Sequence, residues 1–516
     1  MFKGRSRPLA SGVSCALAGK VVVRLGVAVL LLFSLAEVGL AFDQYFLVKP
    51  YLQLGFDGKK DTSGLDIVWF SEEAKHKWQV DYITTKSKPA KPNTAEWVSE
   101  RMISLPGFTA PCYKLTAHLN KLPMGESFDY KVLRDGKEVF AAVAKSKNGP
   151  GQTSHIALFG DCGINGEGQR KLAKNVAAAN PDLVIIPGDI AYQQGLFSQY
   201  LTNFFPVYNL DPAKPSDKPE KKDATGGSAA DGVALMRSTI WASVIGNHDI
   251  SLSGFNGCNI DKFPDCLAYF IFWNQPLNGY AHSKDMGNKN FPFMAGDPNR
   301  QELFKKSAGD SYPVMTNYSF DFGDVHFTAL DGNYYMDWTN PKLRAWLTED
   351  LKAAQGKAWR ILVMHQPGFL IGAAHSTEQK MRLITDIAQK YNVDMVIAGH
   401  SHCYERSFPL TFQPKDGAQG FTMNSDETVD GAFTLDKTFD GVKNTKPKGI
   451  IYVVSGAGGA RLYPIDPKLI TAPDSYMTKF DCSTHSFTSL DVSDKSLTFK
   501  QITEDGKVLD QFVVTK

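Results

Sequence analysis

Five short apolar segments of this chain each end next to a residue that can bind a metal ion. The segments read IALFGD, LVIIPGD, ASVIGN, RILVMH and DMVIAGH, and their continuous apolar character is typical of strands buried on both faces. Helix-forming stretches such as EGQRKLAKNVAAAN alternate with them, which predicts a mostly parallel sheet. Because ligand sites in such sheets lie at the carboxyl ends of the strands, we expect these distant residues to meet.

The residues at these strand ends belong to one chemical set of carboxylates, a phenol, a carboxamide and imidazoles. They are Asp161, Asp189, Tyr192, Asn247, His365, His400 and His402. Seven ligands are too many for one tetrahedral ion and suit two ions that share a bridging carboxylate. Oxygen and nitrogen donors favour Fe, Zn, Mn or Ni over a thiolate-preferring metal. Each short motif alone would be weak, but five of them in one chain predict a two-metal site.

Composition argues against a nucleic-acid-binding protein. Of the 516 residues 43% are apolar and 12% aromatic, and the formal net charge is only +2, without long runs of one sign. Nucleic-acid-binding proteins usually carry a strong basic excess. A globular chain of this length has room for two or three domains.

Residues 1–41 have the pattern of a signal peptide. Five basic residues precede or enter an apolar stretch that ends in Gly-Leu-Ala, so cleavage is expected after Ala41. An uncleaved membrane anchor is the alternative, which Glu37 within the apolar stretch disfavours. Cleavage would remove five basic residues and one acid and take the net charge from +2 to −2. We therefore expect a secreted, periplasmic or cell-surface protein without stable membrane insertion.

The mature chain is predicted to contain two domains. Residues 45–148 consist of short β-branched and aromatic runs separated by turn residues, as in a fibronectin type III or immunoglobulin-like β-sandwich. Residues 152–516 carry the β-α-β pattern and the candidate ligands. Two polar stretches, residues 211–231 and about 413–448, interrupt that pattern and are predicted to be insertions.

The motifs GDCG, GDIAY, GNHD, LVMH and GHSHCYER resemble, in this order, the five metal-ligand blocks of the calcineurin-like metallophosphoesterases. The tyrosine in GDIAY makes the chain similar to the purple acid phosphatases within that superfamily. The resemblance implies a four-layer α/β/β/α sandwich preceded by an all-β fibronectin- or immunoglobulin-like domain. It also implies an acid phosphatase-type enzyme, which hydrolyses phosphate monoesters of small molecules to inorganic phosphate by in-line attack of a metal-bound hydroxide.

The same resemblance implies a role for each candidate residue. The first ion, Fe(III), would be bound by Asp161, Tyr192 and His402, and Asp189 would bridge the two ions. The second ion, Fe(II), Zn or Mn, would be bound by Asn247, His365 and His400. His248, directly after a ligand, and His375 would contact the substrate, with His248 protonating the leaving group. The two polar stretches depart from the family pattern.

The cysteines allow more than one arrangement. Cys258 and Cys266 are spaced for a local disulfide in a protein of the exported class. Cys162 and Cys403 each follow a predicted ligand of the first ion, so they could form a disulfide with each other or remain two buried thiols.

Other functions are compatible with parts of the sequence. One alternative is a phosphodiesterase or nucleotidase of the same fold with non-ferric metals, which Tyr192 disfavours. Another is an exported binding protein with a vestigial metal site, which the complete ligand set disfavours. A third places a carbohydrate- or peptide-binding function in residues 45–147, where no group of residues indicates one.

Overall fold

The computed structural model describes most of the chain after the predicted signal peptide. The described residues are 44–55, 63–73, 75–86, 91–95, 97–120, 122–211, 231–251, 257–280, 290–372, 374–415, 423–464, 468, 472 and 475–516. The predicted signal peptide and residues 212–230 of the first predicted insertion lie outside them. The described residues belong to one compact unit, Phe42–Lys516. Within them no helix is long and apolar enough to cross a membrane.

The N-terminal region consists of strands. They are β1 (Val48–Gln53), β2 (Leu65–Ser71), β3 (Trp78–Thr84), β4 (Asn93–Thr94), β5 (Trp97–Ile103), β6 (Cys112–Leu119), β7 (Ser127–Arg134) and β8 (Lys137–Lys145). The prediction of an all-β region before the α/β part is confirmed.

The rest of the chain contains both strands and helices. The strands are β9 (Ser154–Leu158), β10 (Leu183–Pro187), β11 (Ile240–Val244), β12 (Gly257–Asn259), β13 (Phe293–Ala295), β14 (Tyr318–Phe322), β15 (Val325–Leu330), β16 (Trp359–Met364), β17 (Met395–Ala398), β18 (Tyr404–Ser407), β19 (Leu410–Pro414), β20 (Gly431–Leu435), β21 (Ile451–Ser455), β22 (Met477–Asp481), β23 (Ser486–Val492), β24 (Ser496–Thr503) and β25 (Val508–Thr515). The helices are α1 (Glu167–Ala178), α2 (Phe197–Gln199), α3 (Phe205–Tyr208), α4 (Tyr269–Phe272), α5 (Pro298–Ala308), α6 (Pro341–Ala353) and α7 (Thr385–Lys390).

Most of these strands belong to two large sheets. The first sheet has ten strands in the order β25-β24-β23-β9-β10-β11-β1-β2-β6-β5, and the second has seven in the order β14-β15-β16-β17-β21-β18-β22. Strands β9, β10 and β11 run parallel in the first sheet, as do β15, β16, β17 and β21 in the second. Antiparallel strands adjoin both parallel sets, β23 beside β9 in the first sheet and β18 beside β21 in the second. Five of these parallel strands, β9, β10, β11, β16 and β17, are those that the sequence predicts to end at the candidate ligands.

Alternating side chains divide the interior into separate layers. Ile185 of β10 and Val363 of β16 belong to one buried cluster between the two sheets. Val184 and Ile186 point to the opposite face of β10 and share a second cluster with Leu172 of α1. Complete burial of each such side chain is worth roughly 1.5–3 kcal/mol. The chain thus forms the predicted four layers, with helices outside two facing sheets.

Helix α6 shows how the sequence fixes one outer layer. Asn340 caps the helix, since its side chain accepts a backbone N–H of the first turn, and Pro341 occupies the first helical position. Leu343, Leu347 and Leu351 recur every fourth residue and are fully buried. This single apolar stripe packs the helix against the second sheet.

The N-terminal strands do not stand apart from the first sheet. Strand β1 pairs in parallel with β11, with Leu52 opposite Ile240, and β2, β6 and β5 extend the sheet beyond it. The remaining N-terminal strands form a separate sheet in the order β4-β3-β7-β8. Val80 and Phe128 of that sheet pack into the same buried cluster as Leu52. The sequence did not predict this hydrogen-bonded junction.

Candidate metal centre

The predicted ligands lie just beyond the carboxyl ends of strands from both large sheets. Asp161, Asp189 and Asn247 follow β9, β10 and β11 of the first sheet. His365 and His400 follow β16 and β17 of the second sheet. Since the sheets face each other, the ends of these five strands converge on one buried site.

The first group of donor atoms surrounds the hydroxyl of Tyr192. This oxygen lies 3.2 Å from Oδ1 of Asp161, 3.0 Å from Oδ2 of Asp189 and 3.0 Å from Nε2 of His402. Asp161 and Asp189 are almost completely buried, and Tyr192 and His402 expose less than a tenth of their surface. These four residues are the ones that the resemblance assigns to the first ion and the bridge.

The second group surrounds Nε2 of His365. This nitrogen lies 3.0 Å from Oδ1 of Asn247, 3.2 Å from Oδ1 of Asp189 and 3.2 Å from Nδ1 of His400. The structure therefore separates the seven predicted ligands into the two predicted groups. Asp189 contributes one carboxylate oxygen to each group, as a bridging ligand requires.

The spacing of the donor atoms fits two metal ions. Metal–oxygen and metal–nitrogen bonds of ~2.1 Å at right angles place neighbouring ligand atoms ~3 Å apart. The donors in both groups are separated by 3.0–3.5 Å. Among the described residues, Asp161, Asp189 and His402 also form a buried cluster with metal-binding geometry.

Each of the three histidines has one ring nitrogen bonded outside the site and the other directed into it. Nδ1 of His365 donates to the Pro187 carbonyl at 2.8 Å, and Nδ1 of His402 donates to the Arg461 carbonyl at 2.7 Å. In His400 the arrangement is reversed, with Nε2 2.8 Å from a carboxylate oxygen of Glu378. Such outer hydrogen bonds fix the tautomer that offers a lone pair to a metal.

Burial holds several groups in states that a cation would change. It raises the pKa of Tyr192 well above its ordinary value, and the carboxylates of Asp161 and Asp189 raise it further. Burial also raises the pKa of Asp161, and nearby Asp189 adds to that rise. Deprotonating the Tyr192 phenol at this place therefore requires a strongly polarising positive charge.

The histidines respond to burial in two ways. Burial lowers the pKa of both His400 and His402 to about 4, so both imidazoles are neutral near neutral pH. Burial also lowers the pKa of His365, but the Asp189 carboxylate outweighs it and raises that pKa to about 10. Without an ion, a proton on His365 would partly balance the carboxylates, and a bound cation would replace it.

The backbone is strained at three of the predicted ligands. Asp161, Asp189 and His400 have φ angles of +58°, +52° and +70°, in the left-handed region that residues other than glycine rarely adopt. Each such residue costs roughly 1–2 kcal/mol. Strain of this kind persists at functional sites because the surrounding structure imposes it.

The glycines of the motifs permit close approach between the ligand turns. A Cβ atom on Gly246 would lie 2.2 Å from Oδ1 of Asp189, and one on Gly399 would lie 2.6 Å from Oδ2 of Asp161. Both distances are shorter than any real carbon–oxygen contact. A glycine is therefore required before Asn247 and before His400.

His248 lies at the rim of the first group. Its Nδ1 donates to the Gln193 carbonyl at 2.8 Å, its ring centroid is 4.5 Å from that of Tyr192, and Nε2 is 3.9 Å from Oδ2 of Asp189. The side chain is 19% exposed, which leaves it reachable from solvent. Asp249, the residue after His248, accepts two backbone N–H groups, those of Gly246 and Ile190.

His375 lies at the rim of the second group, beside two residues that sequence reasoning did not identify. Its ring centroid is 3.9 Å from that of His400, and its Nδ1 lies 2.7 Å from Oε1 of Glu378. Glu378 therefore connects His375 to His400. Tyr463 stacks on His402 with ring centroids 4.2 Å apart. Neither Glu378 nor Tyr463 follows a strand within a recognisable motif, so the sequence carried no signal for them.

The region that contains all of these ligands matches a known family. Residues 154–404 match the calcineurin-like phosphoesterases. This region is a calcineurin-like metallophosphoesterase domain. The resemblance inferred from the sequence motifs is thereby confirmed.

The metallophosphoesterase domain has purple acid phosphatases among its relatives. The chain is 40% identical to purple acid phosphatase 23 of Arabidopsis thaliana over 94 residues, which is 17% of this chain and 20% of the relative. It is 23% identical over 512 residues to probable inactive purple acid phosphatase 1 of the same plant, covering 91% of this chain and 69% of the relative. In three of the plant relatives the matched stretch spans only 20%, 22% and 48% of the relative's length.

A solved structure supports the same fold for the whole described unit. Purple acid phosphatase PPD1 from yellow lupin (Lupinus luteus) seeds has a TM-score of 0.61 to this chain at 18% identity. The match covers 90% of this chain and 74% of that one. The metallophosphoesterase fold with a strand-rich N-terminal region is therefore confirmed.

Proposed function

We propose that this protein is an acid phosphatase-type enzyme that hydrolyses phosphate monoesters of small molecules at a dinuclear metal centre. Tyr192 is the observation that carries the proposal. Its hydroxyl is within 3.2 Å of the predicted first-ion ligands Asp161 and His402 and of the predicted bridge Asp189. A phenol in this position distinguishes the site from one that binds two ions through carboxylates and imidazoles alone.

The surroundings of Tyr192 support Fe(III) as the first ion. The pKa of this phenol is raised by burial and by two carboxylates, so only an ion of high charge density would hold it as phenolate. Asn247, His365 and His400 offer neutral nitrogen and oxygen donors around the second position, which suits Fe(II), Zn or Mn. When bound, the two ions would supply the hydrolytic nucleophile and neutralise charge on the phosphoryl oxygens.

His248 and His375 complete the proposed reaction from opposite rims of the site. Each has Nδ1 engaged by a protein oxygen, the Gln193 carbonyl for His248 and the Glu378 carboxylate for His375. Each ring can therefore present Nε2 to a phosphate oxygen. We assign to His248 the protonation of the leaving alcohol oxygen, because it lies closer to Asp189 and Tyr192 and remains accessible.

Export of the enzyme is part of the proposal. The basic and apolar pattern of residues 1–41 supports a cleaved signal peptide. N-terminal sequencing of the protein recovered outside the expressing cell should begin at Phe42. Recovery of the enzyme only with the membrane fraction and with its intact N-terminus would favour an anchor instead.

Metal analysis combined with a visible spectrum tests the assignment of the first ion. We expect stoichiometric iron and a charge-transfer band that Tyr192→Phe removes. Tyr82→Phe is the matched control, since Tyr82 is also buried but lies on β3 in the N-terminal region. A colourless and fully active protein that contains only Zn or Mn would favour a phosphodiesterase or nucleotidase with non-ferric metals.

A second candidate function is a binding protein with an inactive metal site. The relative that aligns with 91% of this chain is named as probably inactive, which makes the comparison necessary. All seven predicted ligands are present and grouped in this chain, which supports an active site. Assays with p-nitrophenyl phosphate and bis(p-nitrophenyl) phosphate separate the possibilities, because turnover of the monoester is expected to dominate. Binding of phosphate without turnover of either ester, in protein loaded with both ions, would favour the binding protein.

A further inference from the structure

Cys403 and Cys482 lie opposite each other at the ends of two neighbouring strands. Strands β18 and β22 are antiparallel, with Tyr404 opposite Asp481 and Glu405 opposite Phe480. Continuing this register by one residue places Cys403 opposite Cys482. The pairing brings together two cysteines that are 79 positions apart in the sequence.

The two thiols are in contact. The Cys403 thiol is hydrogen-bonded to the Cys482 thiol. Cys482 packs against a small buried cluster formed by Cys403, Leu370 and Val454. Cys403 is 1% exposed, whereas Cys482 is partly exposed.

Cys162 has different surroundings. Its sulfur lies 3.9 Å from the Ile190 carbonyl, and the Tyr208 hydroxyl is among its neighbours. Of the two arrangements that the sequence left open for Cys162 and Cys403, the geometry thus favours separate thiols. Cys403 has Cys482 as its sulfur neighbour instead.

Antiparallel pairing brings the two cysteines within range of a covalent bond. Directly opposed residues in an antiparallel ladder have Cα atoms ~4.5 or ~5.5 Å apart, depending on the hydrogen-bonding pattern. Disulfides span Cα distances of ~4.4–6.8 Å. A bond between these cysteines therefore requires rotation of side chains but no movement of the strands.

We propose that Cys403 and Cys482 form a disulfide when the protein meets a low-molecular-weight disulfide such as oxidised glutathione. Cys482, the more accessible thiol, attacks one sulfur of the oxidant and releases one glutathione thiol. The Cys403 sulfur then attacks the resulting mixed disulfide and releases the second glutathione. Two cysteine thiols are oxidised and one glutathione disulfide is reduced to two thiols, which carry the two protons.

This cross-link would act next to the metal centre. Cys403 directly follows His402, and β18 begins at Tyr404. The Cys403 thiol also lies 3.4 Å from Oε1 of Glu405. The two carboxylate oxygens of Glu405 accept the backbone N–H groups of Ile371 and Gly372. A disulfide would link the end of the loop that carries His400 and His402 covalently to the residue after β22.

Peptide mapping of the full-length protein tests the proposal directly. The protein is incubated with oxidised glutathione, quenched in acid, alkylated, digested without reduction and examined by mass spectrometry. We expect a peptide pair joined through Cys403 and Cys482. On reduction, the Tm of the oxidised wild-type protein should also fall by roughly 2–5 °C, whereas the Tm of Cys482→Ser should not show this fall.

Matched variants keep the result specific. In Cys482→Ser the Cys403 thiol should be alkylated, while Cys112→Ser, which removes a buried cysteine of β6, should leave the linked peptide unchanged. Cys258 and Cys266, whose thiols also hydrogen-bond each other, form a second neighbouring pair with which the oxidation of Cys403 and Cys482 can be compared in the same digest. Alkylation of both Cys403 and Cys482 in oxidised wild-type protein, or linkage of Cys403 to another cysteine, would overturn the proposal.

Discussion

Replacing Glu378 with glutamine tests how the second group of ligands is held. One carboxylate oxygen is 2.8 Å from Nε2 of His400 and the other is 2.7 Å from Nδ1 of His375. A glutamine amide keeps one acceptor oxygen but replaces the other with an NH₂ group, which cannot accept from an imidazole N–H. One histidine must therefore lose its partner, and the negative charge between the two is removed.

The expected size of the effect follows from these contacts. Losing a hydrogen bond to a charged group costs about 1.5–3 kcal/mol. At ~1.4 kcal/mol for each factor of ten, this is a loss of roughly 10- to 100-fold in affinity for the second ion. The range agrees with the usual cost of removing the outer hydrogen-bond partner of a metal-binding histidine. Affinity for the first ion should stay unchanged, because His402 is held by the Arg461 carbonyl.

Calorimetric titration of metal-free protein with Zn²⁺ measures this difference. Glu302→Gln is the matched control, since Glu302 is exposed on α5 and forms its ion pair with Lys305, far from the site. Wild-type affinity at both sites in Glu378→Gln would refute the orienting role of Glu378. If the wild-type protein bound a third Zn²⁺ ion that Glu378→Gln did not bind, Glu378 would itself be a ligand, since His375, Glu378 and His400 are spaced to hold a metal ion.

Three further changes have defined outcomes. His248→Ala should impair turnover of p-nitrophenyl phosphate while both ions remain on metal analysis; loss of an ion would make His248 a ligand. Gly163→Ala would put a Cβ atom 1.8 Å from the Ile190 carbonyl oxygen, so we expect a loss of at least about 1–3 kcal/mol in the free energy of unfolding and weaker iron binding. The control Gly356→Ala, where the added Cβ meets open space, should change neither thermal unfolding nor metal content. Burial lowers the pKa of His326, but hydrogen bonds to Asp321 and Asp350 outweigh it and raise that pKa to about 9. Since the folded-state pKa is raised, the stabilisation by His326 is complete below pH ~6.5 and is lost as the pH rises to ~9. In urea unfolding, His326→Gln should therefore lower the free energy of unfolding most, by up to ~3 kcal/mol, at pH 6. A destabilisation that grows with pH would contradict this.

The strand ends were predictable because their chemistry is local. A strand buried on both faces must be continuously apolar, so Asp189 after LVIIPG or His400 after DMVIAG marks the end of a strand without any knowledge of the fold. The order of the motifs then identified the family. The metal ions themselves stay a prediction, which the iron analysis tests.

Contacts between distant segments were not predictable in the same way. Glu378 joins His375 to His400 through side chains on a loop, and Tyr463 covers His402 from another loop. No periodicity or spacing links such loop residues to the motifs, because their positions depend on how the whole unit packs. The partner of Cys403 was missed for the same reason, since strand order cannot be read from a single sequence.

The hydrogen bonds between β1 and β11 make the N-terminal region a structural requirement for the strand that leads to Asn247. Strand β11 lies between β10 and β1, so both of its edges are paired. A protein shortened to begin after residue 148 would expose one edge of β11 as a row of unsatisfied N–H and C=O groups. Open edges of this kind recruit other chains and lead to aggregation. We therefore expect the metallophosphoesterase region, expressed alone, to be insoluble rather than merely less active.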